Sequence, residues 1–348
     1  MKRSVRLTVL VAAAALALAV TALASATYQP SMGIFQATYK PGGAGSVTVV
    51  VAQEKSDDAT ARIAIYVARG YQVNLGQPAG TTIGTVVAGV QVLSLGPSRL
   101  LLSGPVKTDN PATYASNPCS PGVHEAVWTL NAALPGQPAN VIPVYVDHTT
   151  GAEASFSSAR LIVCFRSPNV PESQGGAPNG TKFLDASFTV RGVFRNPGTP
   201  GENLWRSVFT PYAPGTATAN PTGTREAQAV VPMPYTVTAK RVRARRGFFR
   251  IAGVVSIAGK RSSGVRVGLY AGVRTKSGIN YQRVSTTRTR NGKYAFNRRL
   301  PAKTTYVLVE RLPTEVPCSA SASGAPCSAA VESNAISGVL KIAPRRRR

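Results

Sequence analysis

The chain offers few side chains suited to bond-making chemistry, and their spacing decides what they can do. His148 follows Asp147 in "YVDHTTG", and a Ser-His-Asp hydrolase needs an acid to orient its base. No G-x-S-x-G elbow accompanies the pair, so no catalytic residue is assigned. A zinc site needs at least three ligands held close together. His124 and His148, with Glu125 or Asp147 as neighbours, make a poor start on one. Asp57 and Asp58 in "EKSDDAT" supply too few oxygens for a hard cation. They read as a polar turn. No cofactor or metal is expected, and both histidines read as structural or exposed. Tyr71 in "ARGYQVNLGQPAG" and Trp205 in "GENLWRS" are candidate exposed aromatics. A sugar-stacking platform would need such rings coplanar, and core packing is the competing reading.

Charge is the strongest signal. The net charge is +26 with a pI near 10.7, which attracts polyanions at physiological pH. The excess is unevenly placed. Residues 27–239 hold 13 Lys/Arg against 11 Asp/Glu, a net +2, whereas residues 240–348 hold 24 against three, a net +21. Three clusters carry much of it. Arg241, Arg243 and Arg245 alternate in "KRVRARR" and would share one face of a strand. Arg288, Arg290 and Lys293 flank the Asn291-Gly292 turn in "RTRNGK", read as a hairpin that sets Arg290 opposite Lys293 with Arg288 on the same outward face. Arg345, Arg346, Arg347 and Arg348 end the chain after Pro344, as an exposed tail. These ten residues are the candidate polyanion-binding set, and the partner they imply is an anionic cell-envelope polymer or polysaccharide. Solvated charge serving only solubility is the competing reading. Nucleic acid would be attracted through phosphate. The chain shows no groove-reading helix and no RNP-like aromatic pair on its basic strands, so no specific nucleic acid partner is expected.

The N-terminus fits an export signal. Lys2, Arg3 and Arg6 precede "LTVLVAAAALALAVTALASA", and Ala24-Ser25-Ala26 fits a small-residue cleavage site. Cleavage would leave no transmembrane segment and a secreted or cell-envelope protein. Export permits disulfides. Cys318 and Cys327 flank the short "SASASGAP" and are expected to pair with each other, which leaves Cys119 for Cys164. Asn179 in "NGT" matches a glycosylation sequon that has little force in a bacterial-looking composition.

What must position these groups is a set of short strands. Gly and Pro punctuate runs rich in Val, Ile, Thr, Tyr and Phe, among them "GIFQATYK", "SVTVVVAQ", "ARIAIYVA", "IGTVVAGVQVLS", "HEAVWTL", "ARLIVCF" and "DASFTVRGVF". Helical periodicity is absent. The expected fold is all-β, with two β-sandwich, immunoglobulin-like domains after the signal peptide. The expected division is signal peptide 1–26, a large sandwich 27–234, a second sandwich 235–343, and the basic tail 344–348. In "HEAVWTL", His124, Ala126, Trp128 and Leu130 are expected on one face, with Trp128 a core anchor beside the Cys119–Cys164 bridge. A monomer is expected.

In the last third, "IAGVVSIAGKRSSGVRVGLY", "TTRTRNGKYAF" and "LPAKTTYVLV" resemble the carboxypeptidase-regulatory-like family of β-sandwiches, related to transthyretin-like and collagen-adhesin B-type repeats. The resemblance implies a non-catalytic module, and starch-binding relatives in the superfamily imply carbohydrate recognition. Adhesin repeats often carry a Lys to Asn isopeptide bond. Here the first strand, "FFRIAGVV", has arginine and no lysine, and arginine does not deprotonate to act as a nucleophile. Glu310 is then expected to partner an arginine. The functional expectation is a non-enzymatic secreted or cell-surface protein that associates with anionic envelope polymers through its cationic C-terminal sandwich. A carbohydrate-binding module is the alternative and an uncharacterised hydrolase the third.

Overall fold

The computed structural model describes residues 28–198, 202–232, 235–257, 259–312, 314–318, 327–331 and 335–344, the segments 314–318 and 327–331 as backbone only. The signal peptide and Arg345 to Arg348 lie outside the described residues.

The first part of the chain runs through β1 (Ser31–Gln36), β2 (Val47–Ala52), β3 (Thr60–Ala68), β4 (Gln72–Val73), β5 (Thr82–Val92), β6 (Arg99–Asp109), β7 (Ala126–Ala132), β8 (Asn140–His148), β9 (Ser157–Cys164), β10 (Thr181–Val190), β11 (Phe194–Arg195), β12 (Glu202–Pro211) and β13 (Arg225–Pro232). β-branched runs favour strands, and the two-residue period sends alternate side chains to opposite faces. In β2, Val47, Val49 and Val51 are buried while Thr48, Val50 and Ala52 are only half-buried. Eleven of these strands form one antiparallel sheet in the order β1-β2-β10-β5-β6-β7-β8-β9-β3-β12-β13. Its end strands β1 and β13 come alongside each other without a ladder between them, so the sheet curls and its two halves face across a shared interior.

That interior holds Trp128, Phe188, Trp205 and Phe209, all nearly sealed from solvent. Phe194 meets Trp128 at 6.3 Å and Trp205 at 5.5 Å, both edge-on, and Tyr71 meets Trp205 edge-on at 5.3 Å. Edge-to-face pairs of this kind add about 0.5–1.5 kcal/mol each beyond burial. Tyr71 and Trp205 are therefore core residues, not an exposed sugar platform. The physical reason is parity: Trp205 takes an inward position on β12, as Phe209 does.

A smaller apolar cluster sits on the outer face of the same sheet. Ala64, Val127, Tyr145 and Ile162 are covered by Tyr114, Cys119 and Cys164. Cys119 is bonded to Cys164 across a sequence separation of 45, as expected, which ties the 110–125 segment down over this face. Trp128 is not beside the bridge. It faces the interior with Val163, whereas Cys164 is one residue further along β9 and points the other way. His124 also leaves the Trp128 face, because β7 begins only at Ala126 and the His124 ring packs on Tyr145 at 4.8 Å.

Beyond residue 234 come β14 (Tyr235–Val242), β15 (Phe248–Ile257), β16 (Lys260–Arg261), β17 (Arg266–Thr275), β18 (Gly278–Arg288), β19 (Lys293–Arg299), β20 (Thr305–Arg311), β21 (Thr314–Cys318), β22 (Cys327–Val331) and β23 (Leu340–Ile342). One sheet joins β14, β15, β16 and β19; the other has the order β18-β17-β20-β23. Their inward residues form a second core, with Val237, Phe249, Ile251, Tyr294 and Phe296 on one side and Val267, Leu269, Val307, Val309 and Ile342 on the other. Arg311 is buried between them with its guanidinium over the Tyr235 ring at 4.2 Å, and burial pushes its pKa down to about 10. The first core ends at Val231 and this one begins at Val237, with no shared residue. All-β sandwich architecture thus holds. β21 and β22 pair with Cys318 opposite Cys327 in register; the sulfurs themselves lie outside the described side chains. Among the described residues, no helix is long and apolar enough to cross a membrane.

The Asn291-Gly292 turn is a two-residue reversal with both residues at positive φ, 49° and 71°. Arg290 and Lys293 exchange main-chain hydrogen bonds of 2.9 Å in both directions. Yet it does not close a hairpin ladder. β18 pairs with β17 and β19 with β15, so the turn carries the chain from one sheet to the other. Buried Thr289 anchors the crossing, donating its Oγ1 hydrogen to the Ser262 carbonyl and accepting from the Val265 amide.

Removing the Cys119–Cys164 bridge by a C119A/C164A double substitution should lower stability by about 4 kcal/mol on the loop-entropy model. Denaturant unfolding in oxidising buffer, compared with the unsubstituted chain, checks this.

Candidate functional site

Asp147 and His148 are adjacent in β8 and so point to opposite faces. Each finds a partner from the segment leading into β7. His124 Nδ1 meets Asp147 Oδ2 at 2.8 Å and His124 Nε2 meets the Ser120 carbonyl at 3.0 Å. His148 Nδ1 meets Glu125 Oε2 at 2.6 Å, and its Nε2 meets the Val73 carbonyl at 3.1 Å. The acid–imidazole contacts are thus Asp147 with His124 and Glu125 with His148, which a reading of sequence neighbours missed. Both ring nitrogens of both histidines are engaged, and a main-chain carbonyl occupies the Nε2 position where a nucleophile's hydroxyl would have to sit. These are clamps that hold 120–125 against β8, and β8 against β4. Among the described residues no three His, Cys, Asp or Glu side chains gather as metal ligands.

Asp57 is a buried turn residue. Its Oδ2 accepts from the amides of Glu54 at 2.9 Å and Gln29 at 3.2 Å. Lys182 closes the same turn by donating to the Lys55 carbonyl at 2.8 Å and to the Asp57 carbonyl, and desolvation lowers its pKa. The open depression beside it, lined by Glu54, Gln91, Leu93 and Asn169, has a volume of about 540 Å³. Asn179 sits in a tight turn at φ 52° and is exposed.

The basic residues are the surface that remains, and the structure does not gather them as one patch. Arg241 lies opposite Ile251 on β15, a core-side position, and is exposed at the rim of the sheet. β14 stops at Val242, so Arg243 and Arg245 are not strand residues, although all three arginines are exposed. Turn geometry replaces the strand there, with the Phe248 amide donating to the Arg245 carbonyl and the Arg245 guanidinium over the Phe248 ring at 4.1 Å. Lys293 lies opposite Val254 on the outward face of the same sheet, beside Arg290. Arg288 belongs to the other sheet, directly opposite Arg266 on β17. Arg345 to Arg348 lie outside the described residues.

The second sheet's outward face carries residues that sequence reading did not single out. Val267, Leu269 and Ala271 face the core, so Arg266, Gly268, Tyr270, Gly272 and Arg274 face outward on β17. Register then adds Arg288, Arg283 and Tyr281 from β18 and Glu310, Leu308 and Tyr306 from β20. A Cβ on Gly268 would come within 3.0 Å of the Tyr270 ring and 3.3 Å of Arg283 Cδ, so glycine lets those two side chains fold flat over the strand. Arg274 stacks on the Tyr306 ring at 5.3 Å. Burial, then the Glu310 carboxylate, push the Tyr270 pKa up, with Arg283 opposing. Glu310 lies beside Tyr270 on this face, opposite Gly268. Aromatic and basic side chains do share a face here, against the sequence expectation. The signal was the register of three strands, which no single stretch contains.

No protein-family model and no curated protein matches the chain. Among solved structures, the full-length major pilin SpaD from Corynebacterium diphtheriae aligns over 90% of this chain at 12% identity with a TM-score of 0.28, and this chain spans 61% of that one. At that score neither fold nor function is carried across.

The Glu125 hydrogen bond raises the His148 pKa above 6.5. A raised folded-state pKa stabilises fully below the unfolded value, and the contribution fades as pH rises through the folded value. Melting temperature should therefore fall as pH rises above the unfolded imidazole value and through the raised folded one, and E125Q should flatten that dependence. A pH series of thermal melts on both proteins checks it.

Proposed function

We propose that this is a non-enzymatic β-sandwich protein of the cell surface or the secreted fraction, and that its C-terminal sandwich, residues 235–343, is a cationic module that associates with anionic envelope polymers. The carrying observation is the charge division, +2 over residues 27–239 against +21 over residues 240–348. Charge on this scale raises the local concentration of an oppositely charged polymer and speeds encounter, without naming a ligand. Placement of the charges supports the reading. Among the described residues, the ion pairs fall between Arg99 and Glu226, as in Arg99–Asp185 at 2.7 Å, Arg160–Glu153 at 3.1 Å and Arg206–Glu226 at 3.0 Å. Arg241, Arg243, Arg288, Arg290 and Lys293 are exposed and make none of them. The carboxypeptidase-regulatory-like resemblance supports a separate, non-catalytic module with its own core.

Washing intact cells at about 0.5 M salt, where the Debye length is about 4 Å, should move the protein into the supernatant. A full-length variant with Arg241, Arg243, Arg245, Arg290, Lys293 and Arg345 to Arg348 replaced by glutamine should leave the cells at several-fold lower salt. Equal release of both proteins would contradict electrostatic attachment.

A further inference from the structure

The Arg266–Arg288 pair is an unfavourable charge arrangement on the described surface, as Arg290–Lys293 is at the turn. The two guanidiniums lie directly across a β ladder, both exposed, and neither forms an ion pair among the described residues. Like charges placed this way destabilise a sheet, and a bound anion would turn the penalty into an attraction. Arg283 lies further along the same face, opposite Tyr270. From Arg266 to Tyr270 to Arg274 the outward positions of β17 advance by about 13 Å per four residues. A linear ligand can therefore meet guanidiniums at intervals.

Two further features define its chemistry. Between the arginines lie half-buried Tyr281, Tyr306 and Leu308, an apolar surface that a polymer made only of charge would not use, and one carboxylate, Glu310, beside Tyr270 and Arg283. Arg274 lies over the Tyr306 ring, so a ligand meets that ring and its cation together. A guanidinium held over a ring still offers the N–H edges of its fork. A sugar acid brings both counterparts on one ring, a carboxylate for the fork and a C–H face for the tyrosines. Phosphodiester chains bring charge without that face, and neutral glucans bring the face without the charge.

We infer that the outward face of β18, β17 and β20 is a binding surface for a uronic-acid polysaccharide, in which Arg266, Arg283 and Arg288 take sugar carboxylates bidentately and Tyr281 and Tyr306 pack against the sugar rings. The inference rests on the proposed function and names the ligand class and the face. Arg288 is the member of the sequence-derived basic set that lies on it. Arg241, Arg290 and Lys293 then supply long-range attraction only.

The test uses full-length protein, with binding to polygalacturonate, a neutral glucan and a single-stranded DNA oligonucleotide measured at about 0.15 M salt, a Debye length of about 8 Å. The R266K/R283K/R288K variant keeps every charge and loses the forks, and should bind polygalacturonate at least fivefold more weakly. R241Q/R243Q/R245Q loses three charges elsewhere and should change binding less than threefold. Y281A/Y306A, at unchanged charge, should also weaken binding several-fold. If the lysine variant binds like the unsubstituted protein, or the two arginine triples weaken equally, the face is overturned while electrostatic attachment stands. Tighter binding of DNA with the same variant pattern overturns the uronate assignment, as does equal binding of the neutral glucan. No binding of the unsubstituted protein to any polyanion overturns both this inference and the proposed function.

Discussion

The constraint from which the rest follows is the two-residue period of strands that each have one buried face. In the eleven-stranded sheet it sends Trp128, Phe188, Trp205 and Phe209 into one interior, and in the second sandwich it sends Val267, Leu269, Val307 and Val309 inward. Once those positions are committed, the opposite parity is assigned without further choice. Arg266, Tyr270 and Arg274 face outward because Val267, Leu269 and Ala271 cannot. Burying a side chain of this kind is worth roughly 1.5–3 kcal/mol. Exposed charges of one sign cost a few tenths of a kcal/mol to about 1 kcal/mol per directly opposed pair. The cores therefore decide the register, and the Arg266–Arg288 repulsion is tolerated on the surface.

The same inequality separates the two halves of the chain. In the first part of the chain acids and bases are nearly balanced, and a buried charge such as Arg206 is paired with Glu226 at 3.0 Å. In the second sandwich too few acids exist for that to happen. It packs on apolar side chains and on Arg311 lying over Tyr235, while its outer surface keeps an excess of positive charge.

Much of this was legible in the sequence. Fold class, the strand-rich segments, the Cys119–Cys164 bridge and the confinement of charge beyond residue 240 all depend on local pattern or on counting. What was not legible depends on which strand pairs with which. Tyr71 and Trp205 looked available to a ligand until inward parity on β12 placed the indole in the core. Asp147 and His148 are neighbours in sequence, the one relation in a strand that keeps side chains apart, and their partners His124 and Glu125 come from the segment before β7. The Asn291-Gly292 turn was read correctly as a turn and incorrectly as a hairpin, since a reversal of the chain does not specify whether its arms stay in one sheet. The tyrosine–arginine face combines β18, β17 and β20, and no window along the chain holds all three.

Residue-resolved amide protection of the full-length protein, with and without polygalacturonate, bears most directly on the claim that the second sandwich is the binding module. The account predicts added protection along β17, β18 and β20 and no change across the eleven-stranded sheet. Protection confined to the first sheet, or spread evenly over both sandwiches, would contradict it.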